Sequence, residues 1–287
     1  MSYLDHIKAC NNANFSRYAR FRIGDAPLGA VRSDFAAALI GLGPDFIRDE
    51  NGEYGFAPDV KTLAQRNDVL HRATTTLCEQ GVIKHLHGEK FDIRASLSHE
   101  PLCQLDRFAM PYFGCRSWGV HMNGYVRKAD GIYMWIAKRS PNKPTYPGML
   151  DNMVAGGQPA GLGFLENMIK ECGEEADIPP SVARDLQAVG TVSYLYETQE
   201  GLKPDVMVNY DLELPADFEP RCADGEVERF DLLPLGEVAE IVRNGFEFKF
   251  NSALVVIDFL IRHGYLTADN EPDYDDLVTG LHRGINH

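Results

Sequence analysis

The chain has 287 residues, of which 44% are hydrophobic and 24% charged, and its formal net charge is −14. This composition is typical of a folded globular protein and excludes a disordered or collagen-like chain. An acidic surface does not attract a phosphodiester backbone, so no nucleic-acid polymer is expected as a partner. A phosphorylated ligand would need a metal ion or a few placed cations to offset its charge.

Three features of the sequence bear on the compartment of the protein. The amino terminus has no cationic leader followed by an apolar run, which predicts no signal peptide. No stretch reaches the ~18 apolar residues of a membrane span. The six cysteines are far apart and form no C-x-x-C pair, which indicates reduced thiols. We therefore expect a cytoplasmic protein without membrane contact. The length of the chain predicts roughly two domains.

The first part of the chain, 1–115, predicts a small α+β domain. Apolar spacing predicts helices over 34–42 and 59–80, each followed directly by a glycine. The stretch 82–97 alternates enough to predict two strands that turn at Gly88.

From residue 116 short strands predominate, and we place a second domain at 116–265 and an acidic, peripheral extension at 266–287. The predicted strands are 120–126, 133–138, 189–194, 205–214 and 227–232. The predicted helices are 163–176, 235–244 and 252–263. A mixed sheet flanked by helices is the simplest architecture for this pattern, so the predicted fold class is α+β.

The most informative segment is 156–179, where a glycine-rich loop precedes a helix with an acidic second half. Its glutamates stand at i, i+3 and i+4: Glu171, Glu174 and Glu175. They share one side of the helix, where like charges and partial burial are unfavourable without a cation. A hard divalent ion, Mg²⁺ or Mn²⁺, would resolve the conflict, whereas the simpler alternative is a solvated acidic face. Glu166 points elsewhere and is expected to pair with Lys170.

This segment resembles the Nudix box, G-x5-E-x7-R-E-U-x-E-E-x-G-U, where U is a bulky aliphatic residue. The spacing from Gly156 to the Glu174-Glu175 pair agrees without a gap. Four positions depart from the pattern: Leu162, Lys170, Cys172 and Asp177. The resemblance implies a Nudix fold, with a mixed sheet in an α/β/α sandwich, and metal-dependent attack of water on a diphosphate linkage.

The resemblance also implies roles for individual residues. It carries the family's metal ligands onto Glu171, Glu174 and Glu175, with Glu174 also a catalytic candidate. The carbonyl of Gly156 is expected to add a metal ligand, and Gly157 beside it to contact substrate.

A candidate for the general base lies in the stretch DGEVERF. Strand alternation places Asp224, Glu226 and Glu228 on one face. An acidic strand face is most simply explained by solvent exposure, but the resemblance favours Glu226 or Glu228 as an added metal ligand or base. The sequence does not choose between the two.

Candidates for substrate contact lie on the predicted strands. Arg139, with Lys138 beside it, can grip a phosphate bidentately, or it can be a solvated loop cation. His121 can orient substrate or, more simply, bond to the backbone. Four aromatic residues are candidates for stacking on a heteroaromatic ring: Trp118, Trp135, Tyr146 and Tyr194.

Further stretches resemble one Nudix branch, found fused to thiamine pyrophosphokinase in fungi and standing alone in bacteria and plants. These stretches are SWGVHMNGYV, PNKPTYPGMLDNMVAGG, YDLELP and DGEVERF. Members carry an extra amino-terminal domain, as 1–115 would supply. The resemblance implies a small-molecule diphosphate substrate, an oxidised thiamine diphosphate cleaved to the monophosphate and phosphate. It leaves a homodimer as one assembly to test.

Three other functions stay open at this point. The first is hydrolysis of a damaged nucleoside di- or triphosphate of the 8-oxo-dGTP type. The second is an isomerase related to isopentenyl diphosphate isomerase, which would need a catalytic cysteine near the metal. The third is a silent Nudix-like module that only binds a ligand. Such modules typically lose box glutamates, so the retention of all three favours an enzyme.

Overall fold

The structure, a computed structural model, describes residues 1–24, 26–223 and 225–283. Asp224, which strand alternation placed on the acidic face, lies outside these ranges. Within them, no helix combines the length and apolar character that crossing a bilayer requires.

The amino-terminal part combines short strands with helices. Its strands are β1 (Tyr18–Ile23), β2 (Ala26–Arg32), β3 (Phe46–Arg48), β4 (Tyr54–Phe56), β5 (Lys90–Ile93) and β6 (Cys103–Asp106). Its helices are α1 (Tyr3–Cys10), α2 (Ser33–Gly41), α3 (Leu63–Glu79) and α4 (Met110–Phe113). A four-stranded sheet has the order β2-β1-β4-β3, and β5 pairs with β6 as a separate hairpin. Helix α3 begins later than the apolar spacing predicted because Thr62 and Gln65 form a capping box there.

The prediction of two strands within 82–97 is wrong in its first strand. The backbone N–H groups of Val82 and Ile83 both donate to the carbonyl of Leu77, which ends α3. The Asp106 carboxylate then accepts hydrogen bonds from the backbone of His87 and Gly88, at 3.0 and 2.7 Å. These bonds hold 82–89 as a loop, and the partner of β5 comes from β6 instead.

The carboxyl-terminal part contains all five strands and all three helices predicted beyond residue 116. Its strands are β7 (Ser117–Lys128), β8 (Gly131–Arg139), β9 (Leu150–Asn152), β10 (Val154–Gly157), β11 (Gln187–Glu197), β12 (Leu202–Glu213) and β13 (Val227–Pro234). Its helices are α5 (Phe164–Ala176), α6 (Pro180–Ala183), α7 (Leu235–Asn244), α8 (Phe250–Arg262) and α9 (Tyr274–Leu281).

These strands form one mixed sheet between two helical layers. The order is β11-β12-β7-β8-β13, with β10 added to β7 and β9 to β8. Strands β12 and β7 run parallel, and the other pairs are antiparallel. Helix α5 packs in a core on one face, while α7 and α8 pack in the core on the other. The predicted α+β class and α/β/α sandwich are confirmed.

The predicted division into 1–115, 116–265 and 266–287 differs from the packing at both ends of the chain. One hydrophobic core contains residues from Phe21 to Cys115, but α1 packs with α8 and α9 instead. Leu277 and Leu281 of α9 are fully buried in that second core, so the acidic extension is not peripheral there. The close approach requires Gly280, since a Cβ at that position would lie 2.7 Å from a methyl group of Ile7.

Candidate active site

Helix α5 carries the acidic segment, and its own side chains fix where that segment lies. Met168, Cys172 and Ala176 are fully buried in the core beneath the sheet, as the predicted apolar stripe requires. Cys172 therefore fills, as a smaller apolar residue, the position where the box pattern has a bulky aliphatic one. Asp177 ends the helix in the left-handed conformation, with φ 54°, where the box has glycine. Asp tolerates this conformation better than most residues, which explains how the departure is accommodated.

The three glutamates of the cluster differ strongly in exposure. The side chain of Glu174 is 52% exposed and that of Glu171 is 15% exposed, whereas Glu175 is buried. The Glu175 carboxylate accepts a hydrogen bond of 2.9 Å from the backbone N–H of Ala155 in β10. Burial raises the pKa of Glu175 well above its usual range, and the charges of Glu171 and other carboxylates add to this effect. Burial also raises the pKa of Glu171.

Lys170 stands where the box has arginine, and it pairs within the cluster. Its Nζ lies 3.3 Å from Glu171 and 2.5 Å from Glu174. The predicted Glu166–Lys170 pair is therefore wrong. The Glu166 carboxylate instead accepts from the backbone N–H of Gly163 at 3.4 Å, which caps the start of α5.

Of the three helix glutamates, Glu175 lines a small pocket that we call the carboxylate pocket. It lies between β8, β9, β10 and the start of β13. Its lining includes Arg139, Asp151, Asn152, Ala155, Glu175 and Glu226. A Cβ at Gly156 would lie 2.4 Å from the Glu171 carboxyl carbon, so only glycine lets β10 approach that carboxylate so closely. The pocket thus gathers acidic groups from three separate parts of the chain.

The donor set fits a hard divalent cation. Oxygen ligands are what Mg²⁺ and Mn²⁺ prefer, and buried carboxylates with raised pKa values are unfavourable without a positive partner. Within the described residues, however, no three acidic, histidine or cysteine side chains converge closely enough to hold an ion. Lys170 accounts for part of this, because it pairs with Glu171 and Glu174. The Glu175 carboxylate, in turn, is bonded to the Ala155 N–H.

The two candidate bases lie in different surroundings. The register of β13 on β8 shifts between Val227 and Arg229, which leaves Glu228 in a β-bulge. The Glu228 carboxylate lies 4.0 Å from Lys138. Glu226 lines the carboxylate pocket and forms an ion pair with Lys143. The alternation that grouped the two glutamates on one face is broken by the bulge, and Glu226 is the one near Glu175.

Arg139 is held inside the protein. One guanidinium nitrogen donates to Asp151 at 2.7 Å, and the other two donate to the carbonyls of Thr145 and Tyr146 at 2.9 and 3.0 Å. Only 12% of its side chain is exposed. This geometry does not support the predicted grip on a substrate phosphate, and it makes Arg139 a residue that positions the loop before β9.

Two functional candidates were missed by the sequence reasoning, Asp151 and Lys249. Lys249 precedes α8, and its Nζ lies 3.6 Å from the Asp151 carboxylate. No hydrogen bond from this Nζ is present in the described part of the chain. Burial lowers the pKa of Lys249, while Asp151 opposes that change. No spacing pattern could have found the pair, since its members meet only when α8 packs on β9.

Most of the remaining residues predicted to contact substrate are buried or already hydrogen-bonded. His121 is buried, and its Nδ1 bonds to the Asn152 side chain at 2.8 Å rather than to the backbone. The carbonyl of Gly157 accepts from the Asn167 amide, and Lys138 is partly exposed. Among the predicted stacking residues, three are buried: Trp118, Trp135 and Tyr194. Tyr146 lines an open cavity instead.

Residues 2–117 match the family model described as Domain of unknown function (DUF4743). The chain is 38% identical, over 97% of its length, to Nudix hydrolase 20, chloroplastic, of Arabidopsis thaliana, and covers 77% of that protein. It is 35% identical, over 98% of its length, to Nudix hydrolase 24, chloroplastic, from the same plant, and covers 78% of it.

Solved Nudix structures also align with part of the chain. The NUDIX domain of Shewanella oneidensis NrtR complexed with ADP ribose aligns over 53% of this chain and 90% of that one, at 15% identity and a TM-score of 0.42. DR0079 from Deinococcus radiodurans aligns over 58% and 97%, at 21% identity and a TM-score of 0.44. On the strength of its plant relatives, the chain belongs to the Nudix hydrolase family of diphosphate-cleaving enzymes.

Proposed function

We propose that the protein hydrolyses an oxidised thiamine diphosphate to the monophosphate and inorganic phosphate. The observation that carries the reaction class is that Glu175, Asp151 and Glu226 line one pocket beside the glycine-rich strand β10. The substrate is inferred from the four stretches that resemble the thiamine-associated branch. The family alone does not select this substrate.

Glu171, Glu174 and Glu175 are the proposed ligands of Mg²⁺ or Mn²⁺, with the Gly156 carbonyl as a further one. A bound divalent ion would neutralise phosphate oxygens and lower the pKa of the attacking water. Lys170 must leave Glu171 and Glu174 before both can bind a cation, because it occupies their carboxylates at 3.3 and 2.5 Å.

Glu226 is the proposed general base. A base must lie within hydrogen-bond reach of the water that it deprotonates, directly or through one further water. Glu226 lines the same pocket as Glu175, whereas Glu228 lies in the bulge beside Lys138. The pocket position favours Glu226 over Glu228, a choice that the sequence left open.

Lys249 is the proposed cation for the substrate phosphates. An acidic protein must offset the charge of a diphosphate locally. Arg139 has its three nitrogens committed to Asp151 and two backbone carbonyls. Lys249 has an ammonium group whose nearest acidic partner, Asp151, is 3.6 Å away, and 17% of its side chain is exposed. Its Nζ donates no hydrogen bond within the described residues, which is why we propose it for this role.

The cytoplasm remains our proposed location, because Cys10, Cys103, Cys115 and Cys172 are free thiols and nearly or fully buried. The plant relatives carry the word chloroplastic in their names, so location is better tested than inferred. Fluorescent tagging at the carboxyl terminus would show in which compartment the protein lies.

A homodimer remains a proposal, and light scattering of the purified chain would test it.

The substrate proposal is tested by comparing kcat/KM in one buffer with Mg²⁺ or Mn²⁺. The panel is thiamine diphosphate, its oxo and oxy forms, and 8-oxo-dGTP, with products identified by mass spectrometry. We expect an oxidised thiamine diphosphate to give the highest value. A clear preference for 8-oxo-dGTP would instead assign the enzyme to damaged nucleotides. No cation-dependent phosphate release from any compound would point to a binding module.

A further inference from the structure

A cavity lies between the amino-terminal part and the strands of the Nudix sheet, and we call it the seam cavity. Its volume is about 700 Å³, within the range of ligand pockets, which is roughly 300–1,000 Å³. Asn12, Arg17 and Arg32 line one side. Tyr146, Tyr196 and the turn 197–200 line the other.

The cavity walls are held in place by hydrogen bonds across the seam. Arg32 donates to the carbonyl of Gln199 at 2.6 Å, and Arg17 donates to Glu197 at 2.9 Å. Gly201 packs so closely on α4 that a Cβ there would lie 2.1 Å from a backbone oxygen. The turn between β11 and β12 is therefore fixed against the amino-terminal part, and the cavity is already formed before any ligand enters.

Two tyrosine rings, Tyr146 and Tyr196, form the aromatic part of the lining. Tyr196 stacks on Phe250, with ring centroids 4.6 Å apart and planes at 26°. Tyr146 also contacts Phe250, at 5.2 Å. The charged groups at the rim are paired, since Arg17 binds Glu197 and Lys84 binds Glu200. The cavity thus offers aromatic ring faces and hydrogen-bonding groups. Because the rim charges are paired, its net charge favours neither anionic nor cationic ligands.

Tyr146 connects the seam cavity to the carboxylate pocket. Its φ is 51°, a left-handed conformation that is uncommon for an aromatic residue, and it is held by the Arg139 bond to its carbonyl. The same guanidinium binds Asp151, which lines the carboxylate pocket. Strained backbone that is held by its surroundings is concentrated at functional sites. One arginine side chain therefore fixes the position of a cavity-lining tyrosine relative to the acidic groups.

We infer that the seam cavity binds the heteroaromatic ring of the diphosphate substrate, with Tyr146 and Tyr196 as the stacking residues that determine specificity. This inference rests on the proposed function, because it places the ring of a substrate whose phosphates lie in the carboxylate pocket. A planar ring suits the cavity, since stacking on tyrosine needs a π-face and the rim supplies polar partners. It also gives the amino-terminal part a role that the Nudix sheet alone does not supply.

The test compares ring-bearing diphosphates with a ringless one. The ring-bearing panel is oxythiamine diphosphate, 8-oxo-dGDP and ADP-ribose, and the ringless substrate is methyl diphosphate. We expect wild-type kcat/KM to be at least about 10-fold higher for the best ring-bearing compound. Tyr196→Ala and Tyr146→Ala should raise KM for that compound about 10-fold, with kcat little changed. The same variants should leave methyl diphosphate within about twofold of wild type.

Matched variants separate loss of the ring from loss of folding. Tyr196→Phe and Tyr146→Phe keep the stacking surface and should retain the wild-type KM. Tyr133→Ala, on the far hairpin beside Asp130, should affect neither substrate. An equal loss for ring-bearing and ringless substrates in Tyr196→Ala would overturn the inference, as would a wild-type enzyme that does not distinguish them.

Binding measurements test whether the seam cavity binds a ring, even if no compound is hydrolysed. Oxythiamine, 8-oxoguanosine and adenosine carry rings without phosphates, and ligand-observed NMR in EDTA reports their binding. Binding of one of them that disappears in Tyr196→Ala supports the ring site, although the hydrolase proposal would then have failed. No binding of any ring, or equal binding to both proteins, rejects the ring site.

Discussion

The guanidinium of Arg139 and the carboxylate of Asp151 meet at 2.7 Å, with only 12% and 6% of their side chains exposed. Burial alone would raise the pKa of Asp151, but Lys249 and Arg139 hold that pKa at about 2. Asp151 also accepts from the Ser252 hydroxyl. The pair therefore joins the end of β8 to β9, and through them the loop of Tyr146 to the carboxylate pocket.

Replacing Arg139 by methionine should destabilise the fold. The change removes the closest cation of Asp151, leaves Lys249 at 3.6 Å and releases the carbonyls of Thr145 and Tyr146. Breaking a buried pair from one side typically costs several kcal/mol, so we expect a loss of about 2–4 kcal/mol in urea unfolding.

The control for this variant is Arg127→Gln, which removes a surface pair with Glu213 whose side chains are about half exposed. Its effect should stay within about 0.5 kcal/mol. An Arg139→Met protein as stable as wild type, with a raised KM for methyl diphosphate, would return Arg139 to the phosphate-gripping role that the sequence suggested.

Activity should depend on the box glutamates and on a divalent cation. Glu174→Gln and Glu175→Gln each remove a charge partner of the ion while keeping shape, so kcat/KM should fall at least about 100-fold. Glu166→Gln should stay within about twofold of wild type, because its side chain only caps Gly163. Phosphate release with and without EDTA measures this, and full turnover by the double Glu174/Glu175 variant would remove the metal assignment.

Glu175→Gln should also raise stability in EDTA. The Glu175 carboxylate is buried close to other carboxylates, and glutamine keeps an oxygen that can accept from the Ala155 N–H. The Tm in EDTA should therefore exceed that of wild type, whereas Glu174→Gln, at an exposed position, should not change it. Added Mg²⁺ should raise the Tm of wild type but not of Glu175→Gln. A lower Tm for Glu175→Gln in EDTA would show that the charge is already compensated.

Elements that depend on local sequence pattern were predicted correctly. Helix α5 and its glutamates follow from periodicity and spacing, and both are present where the pattern placed them. The stretch 82–89 could not be predicted, because the Asp106 carboxylate, from a later strand, holds its backbone. The choice between Glu226 and Glu228 depends on a bulge that arises only from pairing with β8.

Long-range contacts account for the rest of the site. Asp151 and Lys249 lie in segments with no acidic or basic motif, and they meet because Lys249 donates its backbone N–H to Leu150 at 2.8 Å. The wall of the seam cavity likewise depends on a long-range contact, the hydrogen bond from Arg32 to the carbonyl of Gln199. Such contacts leave no periodic signal in either segment, so only the folded chain shows them.

Stability should fall as the pH drops from 7 to 5, in part through His121. Burial, together with the charges of Lys249 and Arg139, lowers the pKa of His121 to about 4, although Asp151 opposes this change. In the unfolded chain this histidine binds a proton near pH 6.5, whereas in the folded chain it does so only near pH 4. Protonation therefore favours the unfolded chain, and stability is lost as the pH falls from 6.5 to 4. This group alone accounts for about 2 kcal/mol between pH 7 and pH 5.

His121→Asn tests this dependence, since its amide can still donate to the Asn152 side chain. Urea unfolding at several pH values should show a shallower fall for the variant than for wild type. His71→Asn, at an exposed position of α3, should keep the wild-type slope. Identical slopes for wild type and His121→Asn would mean that His121 is protonated in the fold.

Lys249 provides the last prediction, because its proposed role is contact with the substrate phosphates. Lys249→Met removes the ammonium group but keeps the stem, and Arg139 remains to pair with Asp151. We expect kcat/KM to fall about 10- to 100-fold for ring-bearing and ringless diphosphates alike, since the lost contact is to the shared phosphates. Lys249→Arg should recover part of the loss, and Lys128→Met, on the exposed end of β7, should have no effect. Steady-state kinetics at low and high salt measure this, with circular dichroism to verify the fold. A folded Lys249→Met enzyme with wild-type kcat/KM would show that the phosphates are held by other groups, and Lys249 would then serve only to balance the charge of Asp151.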